Sequence, residues 1–461
     1  MSKRASDRHA TAAELADDLL HWNQSPQQET KELQIVPKGL RSFDADDADF
    51  FLDLLPGPRS RDGLPEEIRF WKTRMEETDG DKTFTVGLIY GPSGCGKSSL
   101  VKAGLLPRLS PSVTAIYLEA TPDDTETRIL RGLRKGVPDL PDDIGLVETF
   151  SRLRRKDGRK VVIVVDQFEQ WLHAHRAELD SELVSALRQC DGSRLQAVVM
   201  VRDDFSMAAS RFMRELETRI LEGHNFATVD LFEVAHAARV LTKFGQAFGK
   251  LPARKSEITD EQQTFVDAVA SGLAVDGKVV SVRLALFAEM VKGKPWVPQT
   301  LSDVGGTQGI GANFLEEMFG SRNANPEHLH HQQAARQVLM ALLPEVGTDI
   351  KGHMRSHLEL LQASRYQDQP GEFNELLRIL DGKLRLITPT DPEGFQTESA
   401  SDRDSKFYQL THDYLIPSLR AWLTRQQKET RKGRAELKLA ERSAVWNAKP
   451  EQRHLPSAWE W

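Results

Sequence analysis

The chain has 461 residues, a length that predicts about three domains rather than a single core. Its hydrophobic fraction of 39% and charged fraction of 28% exclude a collagen-like, mucin-like or disordered chain and are typical of a soluble globular protein. The 61 basic and 68 acidic side chains give a net charge of −7, so neither nucleic acid nor an anionic membrane is expected as a partner.

Cysteine usage and hydropathy indicate the compartment. The two cysteines, Cys95 and Cys190, are too few for a disulfide framework or a four-thiolate zinc site, and this usage is typical of a reducing environment. The most apolar runs, 161–165 and 197–201, fall far short of the roughly 20 residues that cross a bilayer. The N-terminus lacks the apolar stretch of an export signal. We therefore expect a cytoplasmic protein with no membrane span in this chain.

The N-terminal segment predicts one short helix. Thr11 and Glu14 form a capping box, and apolar residues follow on one helical face. The stretch SDRHATAAELADDLLHWN resembles the closing segment of bacterial Ser/Thr protein kinase domains, so residues 1–24 are interpreted as a kinase remnant, with an ordinary amphipathic helix as the alternative. The chain contains no H-R-D, no D-F-G and no kinase Gly-rich loop, so it is not a kinase by itself. Residues 25–35 are a polar linker.

Residues 36–231 alternate short apolar runs with longer helical segments. This spacing predicts a multidomain α/β protein whose first domain is a parallel sheet covered by helices on both faces. The predicted strands are 84–90, 113–118, 160–165, 197–201 and 226–231.

Helical periodicity dominates the rest of the chain. Residues 232–328 predict a helical lid domain. Residues 329–425 predict two helices, two strands (384–390 and 406–411) and a last helix, an order typical of a winged-helix domain. A charged helical tail, 426–461, follows. Because this tail ends on exposed aromatic residues, we expect the natural protein to continue.

A phosphate-binding motif lies between the first strand and the next helix. Residues 91–98, GPSGCGKS, match G-x-x-x-x-G-K-[ST]. The glycines let backbone N–H groups surround a phosphate, the lysine reaches the β- and γ-phosphates, and the serine hydroxyl coordinates Mg²⁺. ATP and ADP are therefore the expected ligands. The cysteine is expected to have a lowered pKa in this positive loop, or to be only a small residue tolerated there. The predicted binding residues are Gly91, Gly94, Cys95, Gly96, Lys97, Ser98 and Ser99.

Two further strand ends carry candidate catalytic residues. Asp166 ends the apolar run at 160–165 and is predicted to hold Mg²⁺ through water. Gln167 follows where many ATPases have glutamate, so Glu169 is either the catalytic base or a structural carboxylate, and slow hydrolysis is expected. Arg202 ends a strand expected beside the first one, where it either reaches the γ-phosphate or pairs with Asp203 or Asp204.

These motifs, read as GPSGCGKSSLVKAGLLPRL, VVIVVDQFEQ and VRDDF and followed by QLTHDYLIPSLRAWL, resemble the novel STAND group of signal-transduction ATPases over residues 36–425. The resemblance implies a Mg²⁺-dependent ATP switch that is a closed monomer with ADP and opens and self-associates with ATP. It implies that segment 36–57 helps frame the base. It also implies protein partners through further N- and C-terminal domains, here a kinase–STAND fusion.

One histidine is expected to contact the ligand, and three others are expected to have no binding role. The resemblance implies that His412, in Thr411-His412-Asp413, contacts the bound diphosphate as in a Met-His-Asp motif, whereas a helix cap by Asp413 is the alternative. His328, His330 and His331 are expected to be solvated, because they do not share one helix face and no carboxylate accompanies them.

Two other functions remain as alternatives. A winged-helix DNA-binding regulator is disfavoured because acidic side chains outnumber basic ones in 329–425. A Ser/Thr protein kinase would need its catalytic domain outside this chain.

Overall fold

The structure, a computed structural model, describes residues 42–121, 124–137, 140–141, 143–155, 158–175, 181–307, 309–320, 324–344, 354–384, 386–390, 407–411, 415–429 and 434–435. Residues from Lys38 onward form one compact unit. The predicted kinase remnant, the linker, most of the charged tail and His412 lie outside the described residues. Their assignments therefore stay predictions.

A five-stranded parallel sheet organises the first half of the chain, as the sequence predicts. Its order is β2-β3-β4-β1-β5, and β4 pairs with β1 so that Arg202 lies opposite Gly91. The expected neighbour relation of these two strands is therefore confirmed. The strands are β1 (Val86–Gly91), β2 (Val113–Glu119), β3 (Lys160–Asp166), β4 (Leu195–Arg202) and β5 (Phe226–Thr228).

Helices cover both faces of this sheet because its strands are apolar on both sides. In β3, Val161 and Val165 point into one core, whereas Val162 and Val164 point into the other. This alternation follows from the two-residue period of a strand. The helices of this half are α1 (Ala48–Leu54), α2 (Glu66–Glu76), α3 (Lys97–Ser99, continuing as a π-helical segment Leu100–Leu105), α4 (Thr125–Gly136), α5 (Leu146–Arg155), α6 (Glu169–Ala174), α7 (Glu182–Leu187) and α8 (Ser206–Glu215).

A helical segment follows, as expected from the loss of strand signals. It contains a short antiparallel pair of strands, β6 (Phe232–Glu233) and β7 (Lys278–Val279). Its helices are α9 (Val234–Ala247), α10 (Asp260–Leu273), α11 (Ser281–Met290), α12 (Pro298–Asp303) and α13 (Ile310–Phe319).

The C-terminal elements share one continuous apolar core with this helical segment. The boundary predicted at 328/329 therefore has no break in the core, and the winged-helix assignment stays a prediction. A three-stranded antiparallel sheet has the order β8-β10-β9, one strand more than the sequence predicts. The elements are α14 (Pro326–His330), α15 (Gln332–Ala341), β8 (Arg355–Ser356), α16 (His357–Ser364), α17 (Pro370–Leu377), β9 (Ile387–Thr390), β10 (Phe407–Leu410) and α18 (Leu415–Glu429).

The expectation that the histidines near residue 330 are solvated is wrong for two of the three. His328 and His331 are only 6% and 2% exposed. His330 is exposed, but its Nε2 lies 2.9 Å from Oε2 of Glu372. The sequence argument considered a single helix, whereas α17 brings in a carboxylate from 42 residues further along the chain.

Membrane-spanning helices were also sought. Among the described residues, no helix combines the length and the apolarity that a bilayer requires.

Candidate nucleotide-binding site

The loop between β1 and α3 has a shape that only glycine permits at three positions. Gly94 and Gly96 have φ angles of +74° and +107°, in the left-handed region that other residues rarely adopt. A Cβ atom on Gly91 would lie 2.1 Å from the carbonyl oxygen of Val229. The loop therefore has the compact curvature with which backbone N–H groups surround a phosphate.

Lys97 is held over this loop. Its Nζ donates to the carbonyl oxygens of Gly91 and Pro92 at 2.7 and 2.9 Å. Carbonyl oxygens are neutral acceptors, so phosphate oxygens, which carry charge, would compete for the same ammonium.

Cys95 corrects one expectation. The thiol is 3% exposed, and burial raises its pKa against the smaller opposite effect of Lys97. Of the two alternatives, the lowered pKa is therefore wrong, because desolvation outweighs the charge of Lys97, whose Nζ lies 3.9 Å from Sγ. A Cβ on Gly91 would lie 3.2 Å from Sγ. Cys95 acts as a small packing residue.

Asp166 is joined to the loop through Ser98. Its Oδ2 accepts hydrogen bonds from the hydroxyls of Ser98 and Tyr117, and its Oδ1 accepts the backbone N–H of Gln167 at 2.7 Å. Hydroxyl and carboxylate oxygens are the donor set that Mg²⁺ prefers. The two predicted metal-binding residues are thus brought together, in a chemistry that fits the ion.

The sequence analysis did not single out Tyr117. Burial and the adjacent charge of Asp166 raise its pKa well above the usual value, so the phenol stays protonated and donates. Tyr117 could have been found from the sequence, because β2 runs parallel to β3 and its carboxyl end reaches the same edge of the sheet.

Gln167 turns the chain sharply after Asp166. Its φ of +54° is uncommon for a residue other than glycine. The turn lets α6 begin at Glu169, which is 4% exposed and lines the same cavity as Asp166. The position agrees with a catalytic base and with a structural carboxylate alike.

Arg202 forms the ion pair that was the alternative in its assignment. Its Nε and an Nη donate to the two carboxylate oxygens of Asp204 at 3.0 and 2.7 Å. The guanidinium also lines the cavity that contains Asp166. Arg202 therefore lies at the wall of the site, with its orientation fixed by Asp204.

Two cavities meet at the loop. A polar one of about 330 Å³ lies between the carboxyl ends of the strands and β9–β10. A larger one of about 500 Å³ is lined mainly by apolar side chains. Gly94, Lys97 and Ser98 line both. The arrangement fits a molecule with a flat apolar end, a phosphate chain over the loop and a charged terminus in the polar cavity.

Comparison with known proteins agrees with this geometry. The family model for novel STAND NTPase 1 matches residues 38–454. The chain belongs to this family. The match begins after the kinase-like segment and does not bear on it. No curated protein matches the chain.

Solved structures similar to this STAND NTPase are P-loop ATPases of low sequence identity. The Aeropyrum pernix ORC2 protein, in ADPNP-ADP complexes, is 15% identical, with 81% of this chain and 97% of that chain covered and a TM-score of 0.39. A Walker-type ATPase of Pyrococcus abyssi is 14% identical, with 80% of this chain and 99% of that chain covered and a TM-score of 0.40. CDC6P from Pyrobaculum aerophilum is 10% identical, with 81% of this chain and 98% of that chain covered and a TM-score of 0.35.

Residues 42–57 form part of the wall of the apolar cavity of this STAND NTPase. Phe43 and Phe51 come from this segment, and Phe244 faces them from α9. Sequence reasoning missed His236, which also lines the cavity. Its Nδ1 lies 3.2 Å from an Nη of Arg239, which can only donate, so Nε2–H donates to the carbonyl of Leu54 at 2.8 Å.

Burial lowers the pKa of His236, so its imidazole is neutral at pH 7. A neutral imidazole in an apolar cavity wall is suited to contact with an uncharged nucleobase.

The C-terminal sheet contacts the sheet half through a polar pair. The side-chain amide of Gln409 donates to Oε2 of Glu119 at 2.8 Å, and Oε1 of Glu119 lies 3.4 Å from Nζ of Lys102. This Glu119–Gln409 contact borders the polar cavity. His412 lies outside the described residues, although the adjacent Thr411 lines the polar cavity.

Proposed function

We propose that this STAND NTPase is a nucleotide-dependent signalling switch. It binds ATP with Mg²⁺, hydrolyses it slowly, and uses the terminal phosphate to release β9–β10 from the sheet half, after which chains self-associate. One observation carries the proposal: the polar cavity has catalytic-type residues on one wall and Gln409 and Thr411 on the other. A terminal phosphate bound in this cavity contacts residues of both walls.

Each residue has a chemical task in this scheme. Lys97 and the loop N–H groups bind the phosphates. Ser98 and Asp166 hold Mg²⁺, which when bound neutralises phosphate charge. Tyr117 fixes the orientation of the Asp166 carboxylate. Glu169 is the candidate base for the attacking water, and slow turnover is expected because it stands two residues beyond the usual position.

The switch depends on the terminal phosphate, which only ATP brings to the polar cavity. In the closed state, Glu119 accepts a hydrogen bond from Gln409, and Gln409 and Thr411 line this cavity. The loop and Glu119 both belong to the sheet half, so only the contacts with Gln409 and Thr411 differ between the closed and open states. A terminal phosphate that displaces these two residues therefore favours opening, because a ligand shifts an equilibrium only through a difference between the states.

The Glu119–Gln409 contact can be tested directly. Gln409→Ala removes a hydrogen bond to a carboxylate, which contributes about 1.5–3 kcal/mol, so the ADP-bound chain should shift toward the open state by roughly 10- to 150-fold. Hydrogen exchange of β10 with ADP should accelerate, and sedimentation with an ATP analogue should detect assemblies at lower protein concentration.

Gln367→Ala is the matched control, because this exposed glutamine donates to the backbone carbonyl of Gln362 in its own segment. If Gln409→Ala exchanged and sedimented like Gln367→Ala and the wild type, the contact would not hold the closed state.

The resemblance adds His412 as a second contact that holds the closed state through the diphosphate. His412→Ala is then expected to release ADP faster, as measured by displacement of a fluorescent ADP analogue. A release rate equal to that of wild type would remove His412 from the scheme.

A further inference from the structure

Outside the nucleotide site, two histidines and a glutamate converge at the junction of α14, α15 and α17. His330 and His331 join α14 to α15, and Glu372 lies in the first turn of α17. Their ligand atoms all lie within 4.8 Å of one another. Among the described residues, this is the cluster of histidine, cysteine or carboxylate side chains with metal-binding geometry.

The separations are close to those of a tetrahedral metal site. Nε2 of His330 and Nε2 of His331 lie 2.9 and 3.9 Å from Oε2 of Glu372. In a tetrahedral zinc site with bonds of about 2.0–2.1 Å, ligand atoms are about 3.3 Å apart. Glu372 and His330 are partly exposed, with side chains 42% and 65% accessible, so sub-ångström adjustments are possible without moving the core.

A neighbouring hydroxyl holds His331 in an orientation that suits metal binding. The hydroxyl of Tyr366 lies 3.0 Å from Nδ1 of His331. A partner on one ring nitrogen fixes the imidazole so that the other nitrogen is presented to a metal.

Carboxylates lie around the cluster. Glu327, Glu372 and Glu375 are near His331, and Arg378 pairs with Glu375. Carboxylates at this position attract a cation.

We propose that His330 Nε2, His331 Nε2 and Glu372 Oε2 bind a Zn²⁺-class divalent ion that clamps α17 to the α14–α15 junction. Two imidazoles and one carboxylate leave the fourth position to water. The site does not depend on the nucleotide switch, because its ligands lie on other elements than the loop.

The test is calorimetric titration of the metal-free full chain with Zn²⁺ in the absence of nucleotide. Wild type should bind one ion per chain, and Co²⁺ should give the visible absorption of a tetrahedral complex. His330→Ala and Glu372→Gln should each weaken Zn²⁺ binding at least about 100-fold, and Tyr366→Phe about 10- to 100-fold. Zn²⁺ should raise the unfolding temperature of wild type but not that of Glu372→Gln.

His224→Ala serves as the control, since its backbone N–H forms a local turn far from the cluster in sequence. Absence of saturable Zn²⁺ binding would overturn the proposal, as would equal affinity in His330→Ala and His224→Ala. Zn²⁺ binding lost in Asp166→Asn but kept in His330→Ala would place the ion in the nucleotide site and overturn it too.

Discussion

Lys97→Ala is expected to reduce the affinity for MgATP and MgADP by roughly 10²- to 10⁴-fold. The substitution removes the ammonium that the loop holds at its mouth through the carbonyls of Gly91 and Pro92. Two charge-assisted hydrogen bonds to phosphate contribute about 3–6 kcal/mol together. Calorimetric titration with each nucleotide measures the loss.

Lys72→Ala is the matched control for Lys97→Ala. Lys72 forms a partly exposed pair with Glu76 within α2, and such pairs contribute about 0–1 kcal/mol to stability. This variant should bind nucleotide like wild type. An affinity of Lys97→Ala within about threefold of the control would contradict the assignment of the loop as the phosphate site.

Asp166→Asn is expected to lower Mg²⁺-dependent ATP hydrolysis at least about 100-fold while nucleotide binding without Mg²⁺ persists. The carboxylate accepts from Ser98, Tyr117 and the backbone of Gln167. An amide keeps one accepting oxygen but replaces the other by a donor and removes the negative charge that attracts the metal. Phosphate release assays over a Mg²⁺ series separate the two effects.

Two further variants test the interpretation of Asp166→Asn. Tyr117→Phe should produce a smaller loss, because it frees Asp166 from one hydrogen bond without changing its charge. Asp267→Asn changes an exposed helical carboxylate bonded to Gln263 and should leave hydrolysis unchanged. If Asp166→Asn hydrolysed ATP with the Mg²⁺ dependence of Asp267→Asn, Asp166 would have no part in the metal site.

The sheet half could be predicted because its signals are local. The run VVIVV is apolar at every position, which only a strand buried on both faces requires. The loop motif predicts its own flanking strand and helix. These features depend on residues close to one another in the sequence.

The missed features all depend on contacts between distant segments. The Glu119–Gln409 contact joins residues 290 positions apart, and Glu372 meets His330 across 42 positions. Residues that are so far apart in the chain produce no recognisable sequence pattern. Of the two alternatives for Cys95, the lowered pKa is wrong because desolvation of the buried thiol has a larger effect than the charge of Lys97, and the small packing residue agrees with the structure.

The most direct test of the switch is a structure of the chain with Mg²⁺ and a non-hydrolysable ATP analogue. The account predicts that the base lies in the apolar cavity beside Phe43, Phe51 and Phe244, and that the terminal phosphate lies in the polar cavity near Lys97 and Asp166. It also predicts that Gln409 no longer contacts Glu119. A terminal phosphate outside the polar cavity, or an intact Glu119–Gln409 contact beside a phosphate bound within it, would contradict the proposed switch.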